Sequence, residues 1–411
     1  MIKILHTADI HLDAPLKSLA LRDPALRDTV EAATRTALSN LVDLALSQGV
    51  AALLIAGDLF DGRQRSASTA AFLIGQLDRL RTAGIAVFYI KGNHDAENPI
   101  TGALELPDNV HVFGVRNDKV ELAEGVWIHG VSFAGRHAPQ SLLANFAAPQ
   151  PDAINIAMLH SSLGGAAGHD DYAPCSVSEL QAMGFDYWAL GHVHGWTVHS
   201  TSPWVVMPGT PQGRDIGEAG PKFASLITIE EGRLTAEPVA TSVVEFFAAD
   251  LDVSGVQSDD DLRQMLRAFL GERAEAMTAD AAILRLSLVG RPAHHWQILR
   301  DRDVWAEQIV QMMQDTGRLW LDKLVIALEP PSGDAPSAGA VDELAAIMGE
   351  IAGEAGFEET ARREVEEVLQ GLPAEVRAQI LPDAQAAEAF GKDLTRSGAA
   401  LVLARMKGAG S

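Results

Sequence analysis

Short apolar runs alternate with amphipathic stretches over residues 1–240, and this alternation limits the fold more than any other feature of the chain. The runs that predict strands lie at residues 2–7, 51–56, 86–90, 126–131, 154–159 and 187–190. The run at 51–56 is apolar without alternation, as expected for a strand buried on both faces. Helical spacing at 29–48 and 67–83 predicts helices between the strands. The pattern predicts a layered α/β domain.

The rest of the chain predicts three further regions. Alternating segments at 223–229 and 233–239 predict a hairpin that closes the first domain, residues 1–240. Residues 243–329 predict the order strand, helix, strand, helix, strand, which makes a small α+β domain over 241–329. A stretch at 330–340 rich in proline, serine and glycine predicts a linker. Residues 341–411 carry helical periodicity with an apolar stripe, which predicts a helical C-terminal region suited to partner binding.

Composition excludes several classes of protein. The single cysteine, Cys175, cannot form an intrachain disulfide and rules out a Cys-rich metal site, so we expect a reducing compartment. We see no signal-peptide core after Met1 and no apolar run as long as a membrane-spanning helix. We therefore expect a cytoplasmic protein without membrane contact. The formal net charge of −23 opposes binding of a polyanion by the protein surface alone.

Five short segments place polar side chains just after predicted strands. They are Asp9-Ile10-His11, Gly57-Asp58-Leu59-Phe60-Asp61, Gly92-Asn93-His94-Asp95, Leu159-His160 and Gly191-His192-Val193-His194. In open α/β sheets, ligands bind beyond the carboxyl ends of the strands, so loops after these strands would meet in one place. The glycines at 57, 92 and 191 predict backbone torsions there that a Cβ atom would resist.

Together these segments offer two carboxylates, one amide oxygen and four imidazoles as ligands. The seven residues are Asp9, His11, Asp58, Asn93, His160, His192 and His194. Oxygen and nitrogen ligands without a thiolate suit Mn, Fe, Zn or Co. If one carboxylate bridges, the set supplies four protein contacts to each of two ions. Two ions about 3.5 to 4 Å apart can promote an in-line displacement at phosphorus.

The order D-x-H, G-D-x-x-D, G-N-H-D, a lone histidine after a strand, and G-H-x-H resembles the calcineurin-like metallophosphoesterase superfamily. The resemblance covers roughly residues 1–210, and segments 6–16, 56–61 and 91–95 are similar to DNA repair exonucleases of the SbcD and YhaO type. It implies an α/β fold, the four-layer metallophosphoesterase sandwich, in which two sheets are flanked by helices. It also implies that residues 241–329 form the small α+β capping domain of those nucleases.

The resemblance implies a role for each motif residue. One metal ion would be held by Asp9, His11, Asp58 and His194, and the second by Asp58, Asn93, His160 and His192. His94 matches the family's histidine that contacts phosphate and helps protonate the leaving oxygen. We interpret Asp95 as the partner that orients this imidazole, because a carboxylate fixes the tautomer of a histidine. Arg63 and Arg65 follow a metal ligand and are candidate substrate-binding residues that could hold a phosphate.

The functional expectation is a metal-dependent DNA exonuclease or endonuclease that acts in DNA repair with an SbcC-like or YhaN-like coiled-coil ATPase. Two divalent ions are expected, with Mn²⁺ ahead of Fe, Zn and Co, and the resemblance suggests a homodimer. Because neither half of the chain is basic, we expect the ATPase to supply much of the affinity for DNA. The metal ions would offset part of the acidic field at the site.

Two alternative functions remain open. One is a phosphodiesterase or phosphatase that acts on small phosphate esters or phosphoproteins. Protein phosphatases of the superfamily read G-D-x-x-D-R-G and G-N-H-E, whereas this chain has no Arg-Gly after Asp61 and carries Asp95 in place of the Glu. The other is a scaffold that keeps the fold without chemistry. Such proteins lack several ligands, and all seven are present here.

Overall fold

The computed structural model describes residues 1–18, 24–61, 66–96, 105–164, 172–330, 340–371, 377, 381 and 384–407. The chain divides into two compact units. The first comprises Met1–Ala248, Arg273–Arg285 and Arg318–Lys323, and the second comprises Ala249–Glu272, Leu286–Gly317 and Leu324–Ser411. The domain limits drawn from the sequence stay a prediction, and nearly all of the predicted linker at 330–340 lies outside the described residues.

Strands of the described residues form three sheets. Their bounds are β1 (Ile2–Thr7), β2 (Ala52–Ala56), β3 (Ala86–Ile90), β4 (Val110–Val112), β5 (Asp118–Ala123), β6 (Val126–Val131), β7 (Ile154–His160), β8 (Tyr187–Gly191), β9 (Thr197–Thr201), β10 (Trp204–Met207), β11 (Phe223–Glu230), β12 (Arg233–Ala240), β13 (Val244–Asp252), β14 (Ala281–Gly290) and β15 (Leu319–Leu328). The first sheet has the order β12-β11-β1-β2-β3-β4, the second β5-β6-β7-β8-β10-β9, and the third β13-β14-β15. Strands β1 to β4 pair in parallel, as do β6 to β8.

Helices connect and cover these strands. Within the described residues they are α1 (Pro24–Gln48), α2 (Ala67–Thr82), α3 (Val177–Ala182), α4 (Asp259–Ala276), α5 (His295–Arg300), α6 (Arg302–Thr316), α7 (Ala340–Ala352), α8 (Ala355–Gln370) and α9 (Ala384–Lys407). The start of α2 is capped by Ser66, whose hydroxyl accepts the backbone N–H of Thr69. Among the helices that the structure describes, none combines the length and the apolar character that a bilayer crossing requires.

The unbroken apolar run of β2 follows from burial of both strand faces. Leu53 and Ile55 pack into a core on one side of the first sheet, while Leu54 packs into a second core on the other side. That second core also contains Ile156 and Met158 of β7, so it lies between the two large sheets. Burial of alternate residues on opposite faces leaves no position for a polar side chain in such a strand.

Helices cover the outer faces of both large sheets. On the first sheet, the core includes Leu38 and Leu41 of α1 together with Leu73 and Leu77 of α2. On the second sheet, Leu180 of α3 packs with Trp188 and other side chains of β6, β7, β8 and β10. The order helix, sheet, sheet, helix confirms the predicted four-layer α/β sandwich.

The region after β12 also has the predicted order of strands and helices, with one addition. Strands β13 to β15 alternate with α4 and α6 as expected, and the short helix α5 precedes α6. Helix α4 buries Leu262, Leu266 and Leu270, a stripe with the spacing of one helix face. The C-terminal helices α7, α8 and α9 confirm the predicted helical C-terminal region.

Candidate metal centre

Every one of the seven predicted ligands lies at or just beyond the carboxyl end of a strand in the two large sheets. Asp9 and His11 follow β1, Asp58 follows β2, Asn93 follows β3, His160 ends β7, and His192 and His194 follow β8. The first five of these side chains are buried, and the last two are half-buried. The predicted convergence of the loops is thus present in the first unit.

One group of ligand atoms comprises Asp9, His11 and His194. The Nε2 atoms of the two histidines are 3.3 Å apart, and Asp9 Oδ1 lies 3.9 Å from Nε2 of His194. Two imidazole nitrogens that bind one ion at about 2.1 Å each stand about 3 to 3.5 Å apart, so this spacing fits a shared cation. Asp9 Oδ1 is fully buried and accepts no hydrogen bond from the described residues. A buried carboxylate oxygen in this state is suited to bind a cation.

A second group comprises Asp58, Asn93 and His160. Nε2 of His160 lies 3.4 Å from Asp58 Oδ2 and 3.1 Å from Asn93 Oδ1. The ring of His192 is adjacent, with its centroid 5.2 Å from that of His160. Ligand atoms of Asp9, Asp58 and His160 lie within 4.8 Å of one another, and so do those of His11, Asp58 and His94. Asp58 therefore borders both groups, as expected for a bridging ligand.

Backbone conformation at the site is unusual for residues with a Cβ. The φ angles are 51° at Asp9, 44° at His11, 52° at Asp58 and 104° at His192. Positive φ at a non-glycine residue costs of order 1–3 kcal/mol and persists only where the surrounding structure imposes it. Four of the seven predicted ligands carry this strain, which indicates that their placement is maintained at the expense of stability.

The three glycines of the motifs are needed for two different reasons. Gly57 has a φ of 95°, as the sequence predicted. The predicted torsions are wrong for Gly92 and Gly191, which do not have positive φ. At these two positions neighbouring atoms leave no space for a side chain. A Cβ at Gly92 would lie 2.2 Å from Asp58 Oδ1, and one at Gly191 would lie 2.1 Å from the carbonyl oxygen of Ala56.

Burial and neighbouring charges shift the ionisation of the ligands. Loss of hydration raises the pKa of the Asp9 carboxyl. Burial opposes ionisation of Asp58 as well, but the adjacent His160 outweighs it and holds the pKa of Asp58 below its usual range. Burial, followed by the charge of Arg214, lowers the pKa of His11 and keeps its imidazole neutral. Burial alone would lower the pKa of His160, but the Asp58 carboxylate raises it to about 9.

The two predicted catalytic residues occupy different environments. The side chain of His94 is 30% exposed, its backbone N–H donates to Asp58 Oδ1 at 2.9 Å, and its Nδ1 lies 3.8 Å from Asp61 Oδ1. Asp95 is fully buried, and its carboxylate accepts the backbone N–H groups of Leu59, Phe60 and Gly92 at 3.0–3.2 Å. These bonds join the loops after β2 and β3. The orienting role of Asp95 toward His94 stays a prediction.

Two charged residues at the site, Arg214 and Glu218, were not predicted from the sequence, and the motif residue Asp61 was given no role there. Glu218 accepts a hydrogen bond from Nδ1 of His194 at 2.6 Å, and Arg214 binds the same carboxylate at 2.9 Å. Asp61 lies 3.7 Å from Nδ1 of His11. The first two are 20 or more residues from the nearest motif, so no local spacing signals them. Arg63 and Arg65, the predicted phosphate contacts, lie outside the described residues.

This fold and this ligand set, with its groups of converging ligand atoms, define a metal-dependent hydrolase. The calcineurin-like phosphoesterase profile matches residues 2–196, and the middle domain of the metallophosphoesterase YhaO matches residues 246–329. The chain belongs to the calcineurin-like phosphoesterase family, and its similarity to YhaO extends beyond the catalytic domain. The sequence-based family prediction is confirmed.

Individual relatives agree with this membership. The metallophosphoesterase YhaO of Bacillus subtilis is 34% identical over 271 residues, which cover 64% of this chain and 66% of that protein. The DNA double-strand break repair protein Mre11 of Saccharolobus solfataricus is 27% identical over 200 residues, covering 47% of this chain and 50% of that protein. The chain thus spans about two thirds of the first relative and half of the second.

A solved structure is also similar in part. The protein TT1561 of Thermus thermophilus is 17% identical, with a TM-score of 0.36, and the match covers 58% of this chain and 98% of that chain.

Proposed function

We propose that this protein is a metal-dependent DNA nuclease that hydrolyses phosphodiester bonds in DNA repair. The observation that carries the proposal is the convergence of two ligand groups on Asp58, beside the partly exposed ring of His94. Relatives named as DNA double-strand break repair proteins match 200 and 198 residues of the chain, 47% of its length in each case. The middle-domain match to the metallophosphoesterase YhaO supports a phosphoesterase with a second domain.

Each residue has a definable part in the reaction. Asp9, His11 and His194 would hold one cation, Asn93, His160 and His192 the other, and Asp58 both. Bound cations supply Lewis acidity toward the phosphoryl oxygens and offset the charge that develops in the displacement. His94 lies beside the ligands, with its ring centroid 5.1 Å from that of His11, and its partly exposed ring can give a proton to the leaving oxygen.

Several further features belong to the same proposal. We expect Mn²⁺ at both positions, a cytoplasmic location and a homodimer. With a net charge of −23, the protein surface repels DNA, so a coiled-coil ATPase of the SbcC or YhaN type would supply much of the binding energy. The helical C-terminal region, which exposes Phe357, Val368 and Leu394, would be available to such a partner.

The charge also favours a second candidate function. A small phosphate ester carries few negative charges and meets far less repulsion from an acidic surface than a polyanion does. A phosphodiesterase or phosphatase that acts on small esters would use the same cations and the same His94.

The two candidates are separated by one set of assays. The purified chain with Mn²⁺ is offered linear duplex DNA, single-stranded DNA and bis(p-nitrophenyl) phosphate, with and without the ATPase. We expect DNA cleavage that is lost in Asp58→Asn and His94→Ala. The matched control is His199→Ala, an exposed histidine on β9. Turnover of the small ester alone, even with the ATPase present, would favour the second candidate.

A further inference from the structure

Each predicted cation position has two histidine ligands, and in one of the two, His160 or His194, the group that holds the outer ring nitrogen differs between the positions. Nδ1 of His160 donates to the carbonyl oxygen of Ala56 at 2.9 Å, whereas Nδ1 of His194 donates to Oε1 of Glu218 at 2.6 Å. A carboxylate behind an imidazole fixes its tautomer and makes the ring a stronger metal ligand than a neutral carbonyl group does. The position that contains His194 therefore has the better supported histidine.

The carboxylate of Glu218 has little freedom to move. Its Oε2 accepts the backbone N–H of Arg214 at 2.7 Å, and its Oε1 accepts Nη2 of the same arginine at 2.9 Å. Glu218 ends the 3₁₀ turn Ile216–Glu218, which begins with the side chain of Asp215 accepting the N–H of Gly217 at 2.8 Å. Both carboxylate oxygens are thus bound, and only 15% of the side-chain surface is exposed.

The held ring presents its other nitrogen to the site. Since Nδ1 of His194 donates, Nε2 carries the lone pair that can bind a cation. This atom lies 3.3 Å from Nε2 of His11 and 3.9 Å from Asp9 Oδ1, the buried oxygen that accepts no hydrogen bond from the described residues. Glu218 and Arg214 thereby determine where one of three converging ligand atoms lies without approaching the cation position as ligands themselves.

We propose that Glu218, held by Arg214, is a positioning residue that makes the Asp9, His11 and His194 position the tighter of the two cation positions. This inference rests on the dinuclear site of the proposed function. Loss of such a supporting carboxylate lowers metal affinity by about 10- to 100-fold. Glu218→Gln keeps the size of the side chain and removes its charge. We therefore expect it to lower the affinity for the cation at the Asp9, His11 and His194 position by that factor and to leave the affinity of the other position unchanged.

The test is a titration of the full metal-free chain with Mn²⁺, in which binding is measured by calorimetry and by electron paramagnetic resonance. In the wild type, two binding steps of different affinity are expected. Glu218→Gln is expected to weaken the tighter step about 10- to 100-fold, whereas Asn93→Ala, which removes a ligand of the other position, is expected to affect the weaker step. Glu121→Gln, at an exposed glutamate on β5, is the matched control and is expected to bind as the wild type does.

Two further readouts identify a positioning role. The d–d absorption of the first Co²⁺ equivalent is expected to change in Glu218→Gln and not in the control. Turnover of a generic phosphodiester by this variant is expected to recover at excess Mn²⁺ with an unchanged KM. If Glu218→Gln does not fold, Arg214→Gln, which keeps the carboxylate and removes its side-chain donor, is expected to weaken the same step.

The possible failures are distinguishable. If the wild type binds fewer than two Mn²⁺ ions, the proposed dinuclear site is overturned together with this inference. If the wild type binds two ions and Glu218→Gln does the same with unchanged affinities, only the role of Glu218 is overturned. Equal weakening of both steps would also contradict the inference, because it would show that the carboxylate does not act on one position.

Discussion

The Nδ1 atom of His160 lies 2.9 Å from the carbonyl oxygen of Ala56, and this hydrogen bond joins the second large sheet to the first. His160 is the last residue of β7, and Ala56 is the last residue of β2. Because Nδ1 donates to this carbonyl, Nε2 is directed toward Asp58 and Asn93. The metal centre is thus built on the contact between the two sheets, and its geometry depends on how closely they approach.

The first prediction follows from the close approach of Asp58 to Gly92. A Cβ there would stand 2.2 Å from Asp58 Oδ1 and 2.8 Å from the backbone nitrogen of Asp58, so Gly92→Ala must displace this ligand. We expect Mn²⁺ affinity to fall at least about 10-fold, the lower end of what loss of ligand support costs. Calorimetric titration of the folded Gly92→Ala variant with Mn²⁺ measures this affinity.

The matched control for that substitution is Gly75→Ala. Gly75 lies exposed within α2, with nothing within 4 Å of an added Cβ. Alanine is expected to stabilise the helix by about 0.5–1 kcal/mol and to leave Mn²⁺ binding unchanged. If both alanine variants bind Mn²⁺ as the wild type does, crowding at Gly92 does not position Asp58.

The raised pKa of His160 predicts that cation binding depends on pH. With a pKa of about 9, the ring is protonated at neutral pH in the metal-free protein, so a cation must displace a proton. Apparent Mn²⁺ affinity is therefore expected to rise about tenfold per pH unit between pH 6 and 8. Titrations in buffers of different ionisation enthalpy measure the released proton. An affinity that is flat across this interval would show that His160 does not exchange a proton for the cation.

A buried histidine outside the ligand set predicts how stability depends on pH. His6 donates from Nε2 to the carbonyl oxygen of Leu190 and lies 3.0 Å from the hydroxyl of Tyr187, and burial lowers its pKa to about 3. Below its ordinary pKa of 6.5, the unfolded chain binds a proton that the folded chain does not, so stability is lost as the pH falls.

The size of this effect follows from the difference between the two pKa values. Between pH 6.5 and 5, the free energy of unfolding of the wild type is expected to fall by about 1.6 kcal/mol more than that of His6→Gln. Urea unfolding at a series of pH values measures both proteins. Parallel pH dependence of wild type and variant would mean that His6 takes up its proton in the folded state.

His94 gives a prediction that separates chemistry from metal binding. Its side chain is 30% exposed beside the buried ligands, where it can transfer a proton. His94→Ala is expected to lower kcat by about 100- to 10,000-fold, the usual contribution of a general acid. Its Mn²⁺ stoichiometry is expected to equal that of the wild type. A loss of bound Mn²⁺ comparable to that of Asp58→Asn would instead make His94 part of the ligand set.

The sequence predicted the strands that carry ligands because those strands are buried on both faces. Strand β2 sends Leu53 and Leu54 into different cores, and such a run is recognisable without knowledge of the partner strands. Edge strands such as β4 and β9 were missed, because their residues are partly exposed and lack a regular apolar pattern. Helix α1 begins at Pro24, earlier than the predicted residue 29.

The sequence predicted which residues converge beyond the strands, and it did not predict the residues that contact them from other loops. Ligands belong to short motifs after strands, so spacing along the chain signals them. Glu218 reaches His194 from 24 residues away, and Asp95 binds backbone groups of a loop more than 30 residues earlier. Contacts of this kind depend on how two loops pack, which no local pattern encodes. Gly92 and Gly191 belong to the same class, because the atoms that exclude a Cβ come from other segments.

The most direct test of the metal centre is anomalous diffraction from crystals of the protein soaked in Mn²⁺. Two manganese peaks about 3.5 to 4 Å apart are expected, with Asp58 between them, His11 and His194 on one, and Asn93 and His160 on the other. A single peak, or peaks that do not contact Asp58, would contradict the dinuclear centre.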